Sequence, residues 1–215
     1  MKEYQNISHV FGPVYNSESR ILILGSFPSV KSREQAFFYG HPRNRFWKVL
    51  AAVLKEEEPQ TVEEKKAMLF RRGVAVYDVI EQCSIIGSSD SSIKDVVPAD
   101  LGKIVGESQI QKVYTNGKTA GKLYKKYQDK EMNLPMEELP STSPANAAYS
   151  LEKLTEIWSR ARTCSANHAW GIQENNRKIR IKVFSKRHTI SECNTKKEAV
   201  RNDGTGRDDP AVTGV

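Results

Sequence analysis

The chain reads as an α/β fold in which helices cover both faces of a parallel sheet. Three observations predict it. Hydrophobic segments alternate between strand-like and helix-like character from residue 20 to 160. Ile21-Leu22-Ile23-Leu24 is an apolar run stopped by Gly25, as a strand buried on both faces requires. Thr115-Asn116-Gly117-Lys118 and Ser143-Pro144-Ala145-Asn146 each turn the end of a strand into a helix start.

Taken in order, residues 21–24 form the first strand. After Gly25 comes Ser26-Phe27-Pro28-Ser29, and then an aperiodic cluster from Phe37 to Asn44. The spacing of Phe46, Trp47, Leu50 and Val53 predicts a core-facing helix over 43–55. A second helix over 61–72 carries Glu63-Glu64-Lys65-Lys66 and stops at Arg71-Arg72-Gly73. Further strands are expected over 74–79, 110–115 and 136–139, with helices over 98–106, 117–128 and 146–161. The apolar face of the last helix is Tyr149, Leu151, Leu154 and Trp158.

At 215 residues there is room for one domain with a sizeable core and an appendage. No apolar run approaches the roughly 18 residues that span a bilayer. The start, MKEYQNISHV, lacks the apolar stretch of a secretory signal, so a cytoplasmic protein is expected. Cys83, Cys164 and Cys193 have no paired spacing, and the histidines form no zinc pattern. Neither a disulfide framework, a metal nor another cofactor is expected. The net charge of +7 is compatible with a polyanionic partner, but taken alone it describes an ordinary solvated surface. Composition shifts after Arg162, and residues 163–215 read as a polar, basic, largely disordered extension. Within it only Arg177 to Val183 alternates basic and apolar residues, as a DNA-touching ribbon would.

Ligands in open α/β sheets bind beyond the carboxyl ends of the strands. Three loops would meet there: Gly25 to Ser29 with Tyr39 to Asn44, then Asn116-Gly117-Lys118, then Leu139 to Asn146. Their aromatic and amide content suits a flat polar ring. Taken together, GSFPS, GHPRNRFW and LPSTSPAN resemble the signature motifs of the uracil-DNA glycosylase superfamily, and are closest to its hypoxanthine-DNA glycosylase branch. The resemblance runs over about residues 5 to 160 and includes Gly73 to Val79 and Gly87 to Ile93.

That resemblance implies a single α/β/α domain, residues 1–162, with a four-stranded parallel sheet. It implies hydrolysis of the N-glycosidic bond of a deaminated base flipped out of double-stranded DNA, by a monomer. Such an enzyme needs stacking walls and hydrogen bonds to a base edge. Phe27, Phe38 and Tyr39 are the walls; Gly25, Ser26, Pro28 and Asn116 complete the base pocket. Asn44 is the catalytic candidate, orienting water through its carbonyl, with helix N-capping as its competing role. His41 would donate to the departing base, or brace the turn before Pro42. Ser141, Ser143, Asn146 and Lys118 would hold the DNA backbone, helped by the amides opening the last helix.

Relatives that excise uracil carry a carboxylate in the first motif and a histidine in the last. Ser26 to Ser29 and Leu139 to Ser141 contain neither, so uracil is expected to be the weaker substrate. Asp78 and Asp90 are the nearest carboxylates; a turn role is expected for Asp90 and is an alternative for Asp78. The same departures leave open a damage-binding module that does not cut. An enzyme for free bases or nucleotides is disfavoured because no Gly-rich phosphate loop is present. A chain ending at Arg162 is expected to keep the activity of the full-length protein, measured on the same DNA; a loss would make the extension functional.

Overall fold

The computed structural model of the chain describes residues 3–161. In chain order the elements are β1 (Gln5–Ser8), β2 (Ile21–Gly25), α1 (Val30–Glu34), α2 (Phe46–Leu54), α3 (Val62–Arg71), β3 (Val74–Asp78), β4 (Ile80–Ile85) and β5 (Lys94–Pro98). Then follow α4 (Leu101–Gly106), β6 (Lys112–Asn116), α5 (Lys118–Tyr127), α6 (Asp129–Met132), β7 (Met136–Leu139) and α7 (Leu151–Trp158).

Four strands form the expected parallel sheet, in the order β3-β2-β6-β7. β2 and β3 are buried at every position, which is why they read as unbroken apolar runs. The connections from β2 to β3 and from β6 to β7 run toward opposite edges. Right-handed crossovers therefore place their helices on opposite faces. α3 packs on β3 and α5 on β6 and β7, while α7 returns to lie against α2. Trp158, fully buried on α7, donates its indole N–H to the Pro140 carbonyl at 3.0 Å. The chain is thereby tied to the strand end that opens the last loop.

Register aligns the carboxyl ends of the strands. Gly25 pairs with Asp78, Leu24 with Thr115, and Asn116 with Leu139. The residues that follow consequently emerge along one edge.

A second sheet, β1-β4-β5, is antiparallel and was not anticipated. The strand expected over 74–79 ends at Asp78. After Val79 the chain starts β4, and the Val79 N–H donates to the Gly25 carbonyl at 3.0 Å. β1 and β5 are short and mostly exposed, so hydrophobic alternation does not mark them.

Helix starts differ from expectation where local caps decide them. α3 is opened by a reciprocal capping box between Thr61 and Glu64, close to the expected position. α2 begins at Phe46, not residue 43. α7 begins only at Leu151, where the Ser150 hydroxyl accepts from the Lys153 N–H at 3.2 Å. Residues 143–150 are therefore loop, and no helical turn begins at Asn146. The extension from Thr163 and its alternating segment lie outside the described residues. No helix among the described residues is long and apolar enough to cross a membrane.

Gly117 permits the close approach of the second and third loops. Its φ is +101°, and a Cβ there would stand 2.8 Å from Cβ of Ser141. Gly117→Ala is expected to cost about 1–3 kcal/mol, read by urea unfolding. No measurable loss would mean that the two loops are free to separate.

Candidate active site

At the carboxyl edge of the parallel sheet lies a cleft of about 670 Å³, within the usual range for small-molecule and base pockets. It is lined by every residue put forward from the sequence except Lys118 and Asn146. The first and third loops face each other across it, and Asn116 supplies the floor between them.

The walls are aromatic. Phe27 and Phe38 are buried against the core while lining the cleft. Phe38 is braced by Phe11 edge-on at 4.8 Å, and its carbonyl accepts the Trp47 indole N–H at 3.2 Å. Tyr39 stacks on Phe46 with ring centroids 3.7 Å apart. It holds a left-handed φ of +53°, a strained conformation for an aromatic residue. Its hydroxyl is buried with no hydrogen-bond partner among the described residues. Burial, and then the nearby Asp78 carboxylate, push the phenol well above its ordinary range, with Asn116 opposing weakly.

Asn44 precedes α2 and does not cap it in the ordinary position. Its Oδ1 accepts from the Phe46 N–H at 3.0 Å and from the Thr142 hydroxyl at 2.9 Å. A backbone N–H can only donate, so the side-chain oxygen must face it. With both bonds made, that oxygen is committed, and the amide N–H groups are what Asn44 can offer a ligand. The expected water contact through the carbonyl is thus replaced by a donor. His41 is braced: its Nδ1 accepts from the Arg43 N–H at 3.1 Å, and its carbonyl accepts from the Asn44 N–H at 2.8 Å. In the neutral tautomer that bond selects, Nε2 carries the proton.

Asn116 spends its amide on the third loop. Nδ2 donates to Thr142 Oγ1 and Oδ1 accepts from the Thr142 N–H, both at 2.9 Å. It positions Thr142, and these two bonds leave one N–H and one lone pair of the amide at the cleft lining. Thr142, fully buried, was not singled out from the sequence; neither was Arg45. The Arg45 guanidinium donates to the carbonyls of Thr142, Ser143, Asn146 and Tyr149.

The residues proposed for the DNA backbone divide. Ser141 and Ser143 line the cleft, with Ser141 Oγ accepting from the Ser143 N–H at 3.2 Å. Asn146 turns inward, its Nδ2 donating to the Ser141 carbonyl at 2.8 Å. It stabilises the loop because the helix it was expected to open starts five residues later. Lys118 opens α5 outside the cleft, where its long side chain is exposed.

Two carboxylates from outside the motifs reach the cleft. Asp78, at the end of β3, is almost fully buried and lines the cleft. His9, just past β1, donates from Nε2 to its Oδ2 at 3.0 Å. Asp90 is not confined to its own turn as expected: it accepts the Ser26 hydroxyl at 3.0 Å across 64 residues. The concave site desolvates the Asp90 carboxyl and raises its pKa, although the residue itself is open to solvent. His9 sits in a polar segment with no periodic or spacing signal, so sequence reasoning had no handle on it.

Comparison with known proteins supports the sequence motifs. The profile described as the Uracil DNA glycosylase superfamily matches residues 13–162. A hypoxanthine DNA glycosylase of Methanosarcina acetivorans is 30% identical over 154 residues, 70% of this chain and 95% of the relative. A hypoxanthine DNA glycosylase of Methanosarcina barkeri is 34% identical over 86 residues, covering 40% of this chain and 54% of the relative. A solution NMR structure of a candidate uracil DNA glycosylase from Methanosarcina acetivorans superimposes with a TM-score of 0.63 at 28% identity, covering 76% of this chain and 98% of that one. A matching profile over most of the chain, a relative covered almost end to end and a shared fold agree: the chain belongs to the uracil DNA glycosylase superfamily.

Proposed function

We propose that the protein is a monofunctional DNA glycosylase that hydrolyses the N-glycosidic bond of a deaminated base everted from double-stranded DNA. Hypoxanthine is the favoured base, uracil the weaker one, and the enzyme acts as a monomer. The observation that carries the reading is the aromatic cleft at the sheet edge, with the Asn44 amide and the carboxylates of Asp78 and Asp90 in its lining. The names of the two Methanosarcina relatives support hypoxanthine as the substrate.

In this reading the base enters between Phe27, Phe38 and Tyr39, and stacking offsets part of the unpairing cost. The bond from the sugar's anomeric carbon to the base breaks with its electron pair going to the base. Water adds its oxygen to that carbon, and the proton it releases goes to the base or to solvent. Charge therefore develops on the leaving base, and fixed donors in a dry site lower the barrier. The amide N–H of Asn44 and the Nε2–H of His41 are the donors placed for this. Asp90, its pKa raised and at the open rim, is the carboxylate positioned to accept a bond from the attacking water.

A Schiff-base mechanism would need a desolvated amine. Lys31 reaches the edge of the cleft with its ammonium paired to Glu34 at 2.6 Å in solvent, and Lys118 stands outside. The ground for a module that binds without cutting was the absence of a carboxylate and a histidine from the motifs. Asp78 and Asp90 bring carboxylates to the cleft from outside the motifs, which favours the cutting reading.

End-labelled duplexes carrying hypoxanthine, uracil or a thymine mismatch, incubated with the protein and then treated with alkali, test the reading. Strand scission is expected at hypoxanthine, and only after alkali; no abasic site at any lesion would end it. Asn44→Ala is expected to slow hypoxanthine release about 100- to 1,000-fold, as loss of one fixed donor does, with duplex binding retained. A full-rate variant would remove Asn44 from the chemistry. Tyr39→Phe deletes a buried hydroxyl that has no partner, so thermal unfolding should show a gain of about 1 kcal/mol. A loss of stability would mean that the hydroxyl is hydrogen-bonded in solution.

A further inference from the structure

We propose that Asp78, held in place by His9, reads the N–H group that deamination creates on the base. This rests on the glycosylase reading above and names the residue that would set its specificity. Deamination of adenine turns ring N1 from a lone pair into an N–H, and deamination of cytosine does the same at N3. Every such lesion thus offers a donor where the intact base offers an acceptor. A fixed hydrogen-bond acceptor at the end of the pocket binds the first and repels the second.

Asp78 has the properties this needs. It is 4% exposed, at the carboxyl end of a central strand, and lines the cleft. Its Oδ2 is engaged by His9, which leaves Oδ1 as the oxygen with no donor among the described residues. That oxygen lies over Gly25, only 2.1 Å from where a Cβ would stand, and the Tyr39 hydroxyl is 3.4 Å from the same point. The carboxylate is therefore clamped between an imidazole on one side and a bare backbone on the other. Glycine is required there because any side chain would displace it.

His9 acts through Asp78 as a positioning residue. Its side chain is wholly buried, packed edge-on against Phe11 at 4.5 Å and tilted against Tyr77 at 4.8 Å. Nδ1 has no partner, so this imidazole leaves a buried polar atom unsatisfied. An apolar ring would avoid that cost, and would also lose the single bond that the imidazole makes, to Asp78. β1 and the second sheet place His9 there, its N–H on the Glu81 carbonyl at 2.7 Å.

Depth separates this role from that of the attacking water. The sugar stays tied to the DNA backbone, so the edge of the base remote from the sugar penetrates furthest. Asp78 is in the buried floor, whereas Asn44, His41 and Ser143 stand at the partly open mouth, where the anomeric carbon must lie.

The test compares kcat/KM on duplexes carrying hypoxanthine with duplexes carrying unsubstituted purine, whose N1 is a lone pair. Asp78→Asn replaces one of the two carboxylate oxygens by an N–H group, so that with the side-chain oxygen on the Nε2–H of His9 a donor stands where an acceptor stood. The preference for hypoxanthine is expected to be at least about 100-fold in the native chain and to fall below about 10-fold in the variant. His9→Phe, which keeps an apolar ring in an aromatic site, is expected to narrow the same ratio, and it decides the matter should Asp78→Asn not fold. A ratio unchanged in both folded variants, or both substrates slowed equally, would overturn the proposal while leaving the glycosylase reading intact. Failure of the native chain to release hypoxanthine would remove both.

Discussion

Thr142 is the point at which the site is assembled. Its N–H and hydroxyl bind Asn116, the same hydroxyl donates to Asn44, and its carbonyl accepts from the Arg45 backbone and guanidinium. One fully buried side chain therefore joins loops that are 26 and 98 residues away in sequence. Each bond is modest alone, roughly 1 kcal/mol net. Together they remove the freedom of three loops to move independently, and electrostatic catalysis depends on donors already being in place. They also dictate which end of the Asn44 amide is left for a ligand.

The site carries costs that a purely structural edge would not. Tyr39 is held at a left-handed φ, its hydroxyl is unpartnered, and the His9 ring buries an unsatisfied nitrogen. The surrounding core offsets them: β2 and β3 are buried along their whole lengths, and Phe46, Leu50 and Trp158 are almost completely enclosed. Two of the three buried side-chain atoms without a partner among the described residues, on Tyr39 and His9, gather at or just behind this cleft, as departures from local rules do at a functional site.

The parallel sheet was legible chiefly because β2 and β3 are buried on both faces and end at Gly25 and Asp78. Helix α3 was legible through its charged run Glu63 to Lys66 and its stop at Arg71-Arg72-Gly73. What escaped was short and exposed, β1 and β5, together with the turn of the chain at Val79 into β4. These elements are half exposed, so no periodicity separates them from loop. The three motif loops were recognised and do converge, yet their side chains divide the work differently from the roles assigned by type. Asn116 and Asn146 brace, while Thr142 and Arg45, unremarkable in sequence, hold the loop together. Long-range partners such as His9 with Asp78, 69 residues apart, are set by sheet topology and cannot be read from spacing.

Arg45 has a further bearing on how the third loop meets a polyanion. Its guanidinium is ringed by four main-chain oxygens, without a carboxylate neutralising it among the described residues. The loop therefore carries a full positive charge at its centre while residues 140–150 show no basic side chain of their own. An enclosed charge of this kind can draw a phosphate toward the loop with no long flexible side chain to immobilise.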